Sequence, residues 1–310
     1  MQKIIKKPLI SILMNCYNGE KFLIEALNNV INQSYKNWEL LFWDNQSTDK
    51  SLEIVKRYRD KRIKIFYSTQ HTNLGKARKN AFEKANGKYL AFLDVDDTWE
   101  VDKLKKQVKA FENDEELGLS FTNSLYFSKK NKEYLYKPNP EFILNTKSLI
   151  TDYYISLNSV MININKIEKL EYDFDPNYNH ICDFDLIVRL SSIAKFKYLN
   201  KVLSGWRIHG NNESFKRREI FNIEKEKWCN FHLKNEYLSL YKNEINELKI
   251  TILAEKRILK NKFCIFSFKK SDLLSVSGFK KKLFIIFSFI PFFPKIIYQI
   301  KNYLFRFKWY

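Results

Sequence analysis

Residues 88–107 read KYLAFLDVDDTWEVDKLKKQ. A run of strand length, Tyr89 to Val95, carries at its end three aspartates, Asp94, Asp96 and Asp97, in a chain whose formal net charge is +19. Two carboxylates one residue apart at a strand's carboxyl end, with no basic residue beside them, repel one another unless a cation sits near. Hard oxygen ligands of this kind suit Mg2+ or Mn2+, ions that commonly use one or two carboxylates together with substrate phosphates. Solvated loop acids are the plain alternative. Asp97 has another, because Asp97-x-x-Glu100 ahead of a helical stretch reads as a capping box.

Outward from this motif the first 130 residues alternate. Strand-like runs are LISILMNC (9–16), WELLFWD (38–44), IKIFYST (63–69) and YLAFLDV (89–95). Helical patterns lie between and after them, the first with Phe22, Leu23, Ala26, Leu27, Val30 and Ile31 on one face. Others are SLEIVKRYRD, GKARKNAFEKANG and TWEVDKLKKQVKAFEND. The alternation predicts an α/β fold with a mostly parallel sheet and helices on both faces. Ligands of such sheets bind beyond the carboxyl ends of the strands. Three strands end there in polar clusters, NCYNGE, DNQSTD and DVDD, which should meet at one crevice. Ser47 and Thr48 read as caps of the following helix.

Length favours one main domain with an appendage. The four cysteines, Cys16, Cys182, Cys229 and Cys264, stand apart at no metal or redox spacing, which predicts reduced thiols and no structural zinc. The N-terminal apolar run is too short for an export signal and reaches no cleavage site, so a cytoplasmic location is expected. The basic excess admits nucleic acid, an anionic membrane or an anionic substrate. No nucleic-acid motif accompanies it, and no Gly-x-Gly-x-x-Gly follows a strand, which disfavours a dinucleotide oxidoreductase.

The segments SILMNCYNGEKFLIEALNNVINQSYKNWELLFWDNQSTDKS, NLGKARKNAFEKANGKYLAFLDVDD and HICDFDLIVRL resemble, in order and spacing, the signatures of family-2 glycosyltransferases with the glycosyltransferase A fold. The resemblance spans residues 8 to 212. It implies a catalytic domain over 1–214, with a nucleotide-sugar half (1–130) and an acceptor half (131–214). It further implies an inverting, metal-dependent transfer of a hexosyl or N-acetylhexosaminyl group from a nucleotide diphosphate sugar. By the same resemblance Asn15, Cys16, Tyr17 and Asn18 pack around base and ribose, with Glu20 in the same turn. Asp44 accepts a hydrogen bond from the base, which favours a UDP-sugar. Asn73, Gly75, Arg78 and Asn80 match a segment in which the glycine admits close backbone approach and Arg78 meets the base or diphosphate. Asp94 matches the ribose-binding, metal-adjacent acid, Asp96 the ligand of Mn2+ or Mg2+, and Asp183 the general base. His209, in GWRIHGNNES, matches a position that gives a third metal ligand or a donor to the diphosphate. The chain departs from the family's usual residues at Asn15-Cys16, Asn45 and Cys182. The departures at Cys16 and Cys182 leave a catalytically silent, membrane-attached sugar-nucleotide-binding module as the alternative.

Residues 215–310 read as a helical extension ending in GFKKKLFIIFSFIPFFPKIIYQIKNYLFRFKWY. Its apolar stretch, Leu283 to Phe293, is too short to span a bilayer, is interrupted by prolines and is flanked by basic and aromatic residues. An amphipathic anchor on an anionic membrane surface is expected, with a helical hairpin folded on the catalytic domain, or an oligomer interface, as the alternative. Membrane attachment points to a lipid-linked or surface glycan acceptor and to the inner face of a bacterial cell membrane.

Overall fold

A computed structural model describes residues 7–135, 144–260 and 276–287. The run ISILMNC, buried almost throughout as a central parallel strand must be, forms β1 (Ile10–Cys16). It feeds α1 (Glu20–Ile31), whose Leu23, Ala26, Leu27 and Val30 recur at helical spacing and are buried. The alternation continues through β2 (Trp38–Asp44), α2 (Ser51–Lys56), β3 (Ile63–Tyr67), α3 (Leu74–Phe82) and β4 (Tyr89–Phe92). These four strands lie parallel in the order β3-β2-β1-β4, the arrangement the alternation predicts. Ile10, Ile12, Met14 and Cys16 face α1 and α4 (Lys103–Glu112) in the main core. On the other face α3 packs on β1 and β2, and Phe174 meets Phe82 and Phe92 edge to face.

The remaining strands are β5 (Thr98–Trp99), β6 (Leu117–Phe127), β7 (Lys132–Tyr134), β8 (Met161–Asn163) and β9 (Lys195–Arg207). Antiparallel β8 joins β4 to β6, β9 runs parallel to β6, and β5 pairs antiparallel with the end of β9. α6 (Ile164–Ile167) and α7 (Cys182–Ser191) complete the elements of this part.

The helix expected from Thr98 begins only at Lys103. Thr98 and Trp99 are a strand because their partners, Gly205 and Ser204, take them into the sheet. Asp97 therefore caps no helix. Cys16, Cys182 and Cys229 are buried and form no disulfide with one another; Cys264 lies outside the described residues.

The chain divides into two compact units, 1–144 with 154–208, and 145–153 with 209–310. The second contains α5 (Thr146–Thr151), α8 (Glu213–Lys216), α9 (Arg218–His232), α10 (Lys242–Lys260) and α11 (Phe279–Phe287). Within it Trp228, Cys229, Ile245 and Ile252 are buried, and Arg218 and Lys256 pair with Glu255 and Glu226 across α9 and α10. Val276 and Ile285 pack with Ala254, and Lys281 bonds the Thr151 carbonyl and Glu247, 3.1 Å away. The first residues of the expected membrane anchor are thus held by α5 and α10; those beyond 287 lie outside the described residues. Among the described residues no helix is long and apolar enough to cross a membrane.

Candidate active site

Parallel pairing brings the carboxyl ends of β1 and β2 level, with Cys16 opposite Asp44. β4 ends opposite Leu13, so residues 94–97 follow at the same end of the sheet. The first two loops then lock together. The Asn18 and Glu20 amides donate to Ser47 Oγ (3.0 Å) and Asp49 Oδ2 (2.9 Å). In return Thr48 N donates to Asn18 Oδ1 (2.8 Å) and Lys50 N to Glu20 Oε2 (2.9 Å). Asn18 and Gln46 adopt left-handed backbone, φ 54° and 65°. Non-glycine residues hold that conformation only when their surroundings impose it, at about 1–3 kcal/mol each.

One expectation changes here. Ser47 and Thr48 do not cap α2, whose N-cap is Lys50 without a side-chain cap bond, while Asp49 Oδ1 accepts from Ser51 N at 2.9 Å. Glu20 places its carboxylate on the backbone that opens α2, where it accepts from Lys50 N.

Asp44 is buried at 4 % exposure, and both its oxygens lie 3.3 Å from the Ser47 amide. Its neighbour Asn45 holds the loop after β3: Oδ1 accepts from Thr72 N and Oγ1, and Nδ2 donates to the Thr72 carbonyl at 2.7 Å. A second aspartate could not make that last bond, which explains the asparagine here. The same loop carries His71, whose Nδ1 lies 3.0 Å from the Asn45 carbonyl and whose ring sits 4.3 Å from that of exposed Tyr17. Tyr17 and His71 thus form an aromatic pair beside Asp44. Asn15 carries a buried Nδ2 that meets no hydrogen-bond partner among the described residues. Cys16, by contrast, turns its thiol into the core beside Ser47, where burial raises its pKa, so a donor could meet only its backbone.

Arg78, on α3 and 5 % exposed, joins the two halves of the first unit. Its Nη1 donates to Cys182 Sγ (3.1 Å) and its Nη2 lies 3.6 Å from Asp94 Oδ1. Burial opposes its charge, but Cys182, Asp94 and Asp183 outweigh that and raise its pKa. Burial raises the pKa of Asp94, Arg78 opposes the rise, and Asp96 and Asp183 add to it. Because the Asp94 side chain is 45 % exposed, solvent screens part of this shift. The Asp183 side chain, in the first turn of α7, makes no hydrogen bond among the described residues and acts on Arg78 through its charge, whereas Asp185 forms a buried pair with Arg189 at 2.6 Å. Asp185 is therefore structural.

Asp94, Asp96 and Asp183 crowd negative charge that a divalent cation would relieve, and carboxylate oxygens are the donors Mg2+ or Mn2+ prefer. Among the described residues no group of three or more His, Cys, Asp or Glu side chains is placed to hold a metal ion. Two carboxylates such as Asp94 and Asp96 are a donor set for a cation that takes its other ligands from substrate phosphates. His209 lies in the second unit, where its Nδ1 accepts from Asn211 N at 3.2 Å and its amide donates to Asn212 Oδ1.

Asn73 and Gly75 serve the fold. Asn73 caps α3 by accepting from Lys76 N and donates to the Pro176 carbonyl, while a Cβ on Gly75 would lie 2.1 Å from the Tyr178 carbonyl. The close approach expected at Gly75 is to the chain's own 175–178 loop. Sequence reasoning missed His71 and Asn158. A histidine two residues ahead of Asn73, in the loop leaving a strand, was a readable signal for the first. For Asn158, inside a stretch without motif, there was none.

A family model described as Glycosyl transferase family 2 matches residues 11–171. TuaG of Bacillus subtilis (strain 168), a glycosyltransferase named for teichuronic acid biosynthesis, is 30 % identical over 231 residues, 72 % of this chain and 84 % of TuaG. Among solved structures, S. aureus TarS 1–349 in complex with UDP-GlcNAc superposes with a TM-score of 0.62 at 17 % identity, covering 90 % of this chain and 79 % of TarS. The mannosyltransferase PcManGT from Pyrobaculum calidifontis, in complex with GDP-Man and Mn2+, gives 0.60 at 13 % identity, over 91 % and 86 %. These likenesses establish the glycosyltransferase A type of α/β fold.

Proposed function

The chain belongs to glycosyl transferase family 2, and from that premise we propose that it moves a hexosyl or N-acetylhexosaminyl group from a UDP-sugar to a hydroxyl of a lipid-linked or surface glycan, inverting the anomeric centre. The observation that carries this reading is the junction at Arg78, which holds Asp94 of the nucleotide half and the first turn of α7, with Asp183, around one point. UDP is supported by the buried carboxylate of Asp44, matched to an imide N–H, and by the UDP-GlcNAc bound to TarS. The acceptor class is supported by the name of TuaG and by the basic, aromatic tail. The tail also favours a peripheral position on the inner face of the cell membrane.

In this mechanism Asp44 receives the base, Tyr17 and His71 wall it, and the Asn15 amide donates to the nucleoside. Arg78 holds Asp94 in place beneath the diphosphate. Asp183, at the positive end of α7, takes the proton from the acceptor hydroxyl. The hydroxyl oxygen bonds to the anomeric carbon from the face opposite the diphosphate as the carbon–oxygen bond to the diphosphate breaks. Asp96, beside Asp94, would hold Mn2+ or Mg2+, and such an ion would supply Lewis-acid stabilisation of charge on the leaving diphosphate.

The test is donor hydrolysis and binding over a nucleotide-sugar panel with and without Mn2+. One donor should bind in a metal-dependent manner, Asp96→Ala should lose that binding, and Asp183→Asn should bind but lose at least about 10²-fold in turnover. Failure of every donor to bind, with Mn2+ or without it, would overturn the reading. Cys182 at a position usually glutamate favours one competitor, a silent donor-binding module. Binding without turnover in the intact chain would establish it.

A further inference from the structure

The turn that carries the acids is held from behind. Asp97 N donates to the Asp94 carbonyl at 3.1 Å, closing the turn. The Asp97 side chain is 3 % exposed and both its oxygens are engaged: Oδ1 accepts from Arg207 N (3.1 Å) and Oδ2 from Asn158 Nδ2 (2.8 Å). Arg207, at the end of β9, also sends Nε to the Asp96 carbonyl (2.9 Å) and Nη2 to Glu25 Oε2 of α1 (2.5 Å). Its guanidinium lies 4.6 Å from the Phe22 ring centre and 4.5 Å from that of Phe127, which restricts it to one direction. A backbone carbonyl fixed at Asp96 fixes the rotation of that residue's peptide, and with it the direction in which the Asp96 side chain leaves the turn. The ion pair with Glu25 matters electrostatically as well. It offsets a cation that would otherwise stand uncompensated behind the acids and lower their attraction for a metal.

We propose that Arg207 is the positioning residue of the Asp94/Asp96 cation site: its side chain aims Asp96 by gripping the Asp96 carbonyl, its amide fixes Asp97, and Glu25 holds the guanidinium in that grip. The assignment rests on the reading of Asp96 as cation ligand. It makes Asp97 part of the frame and not a ligand. Lysine would not replace Arg207, because one ammonium lacks the planar fork that reaches a carbonyl and a carboxylate in different directions.

The experiment is a Mn2+ titration of the full chain with saturating UDP, followed by the spin resonance signal of free Mn2+. Melting temperature, kcat and donor KM are recorded alongside. Arg207→Ala should weaken Mn2+ binding about tenfold or more, in the range for residues that orient metal ligands, and Arg207→Lys should recover little of it. Glu25→Gln, at a side chain 51 % exposed, should weaken it measurably, by less than Arg207→Ala does, with unchanged melting temperature. Wild-type Mn2+ affinity in Arg207→Lys and Glu25→Gln, with loss in Asp96→Ala, would overturn the positioning role and leave the cation site standing. Wild-type affinity in Asp96→Ala itself would overturn both.

Discussion

Glu39 shows what one carboxylate does inside a parallel sheet. It lies on β2 at 4 % exposure and accepts from Ser11 Oγ of β1 (2.6 Å), Lys64 Nζ of β3 (2.6 Å) and Asn86 N ahead of β4 (2.7 Å). Burial opposes its charge, and the bonds from Lys64, Ser11 and Asn86 outweigh it, so its pKa falls below the ordinary glutamate value. The stability it contributes is therefore complete above the unfolded value of about 4.3 and is lost as pH drops through the lower folded value. Glu39→Gln should cost about 2 kcal/mol at neutral pH, and the difference from wild type should shrink in denaturant melts below about pH 4. In the sequence Glu39 is one acid in WELLFWD, and its role depends on residues up to 47 positions away. The same limit divides the candidate site. Asp44, Asp94 and Asp183 are visible by position at strand and helix ends. Glu20, Ser47, Thr48 and Asn73 look equally polar, and only tertiary contacts show that they tie loops to one another.

At the scale of elements, α3 depends on the absence of a side chain. Its second residue, Gly75, would direct a Cβ at the Tyr178 and Asp175 carbonyls, 2.1 and 2.6 Å away. Backbone cannot retreat there, because the Leu74 amide donates to Asn179 Oδ1 and Asn73 to the Pro176 carbonyl. Gly75→Ala should cost about 3 kcal/mol and move Arg78 with the helix, so thermal melts and donor KM should worsen together. β1, β2 and β4 were legible because central parallel strands are continuous apolar runs. β9 was not, since its first half alternates between exposed and half-buried positions and carries lysines at 195, 197 and 201. β5 was hidden by the acids and lysines around it, which imitate a helix start until Gly205 and Ser204 are placed opposite.

The whole chain combines a sheet-based unit with a helical one, and the excursion of residues 145–153 into the second had no sequence signal. Lys281 illustrates the boundary of the tail. Burial opposes its charge, yet Asp152 and Glu247 keep it more basic than an ordinary lysine, so α11 has partners of its own. A deletion that tests membrane attachment therefore belongs at 288–310. It should release the protein from anionic vesicles in a sedimentation assay while donor hydrolysis persists, and unchanged sedimentation would remove the anchor. Arg207 meets Asp97 across 110 positions and Glu25 across 182. At roughly 5–20 residues per second on the ribosome, the acids emerge roughly 5–20 s before the arginine that aims them. An unfinished chain thus carries the Asp94–Asp97 turn before the residue that braces it from behind exists, so this turn reaches its final form only in molecules whose synthesis has passed β9.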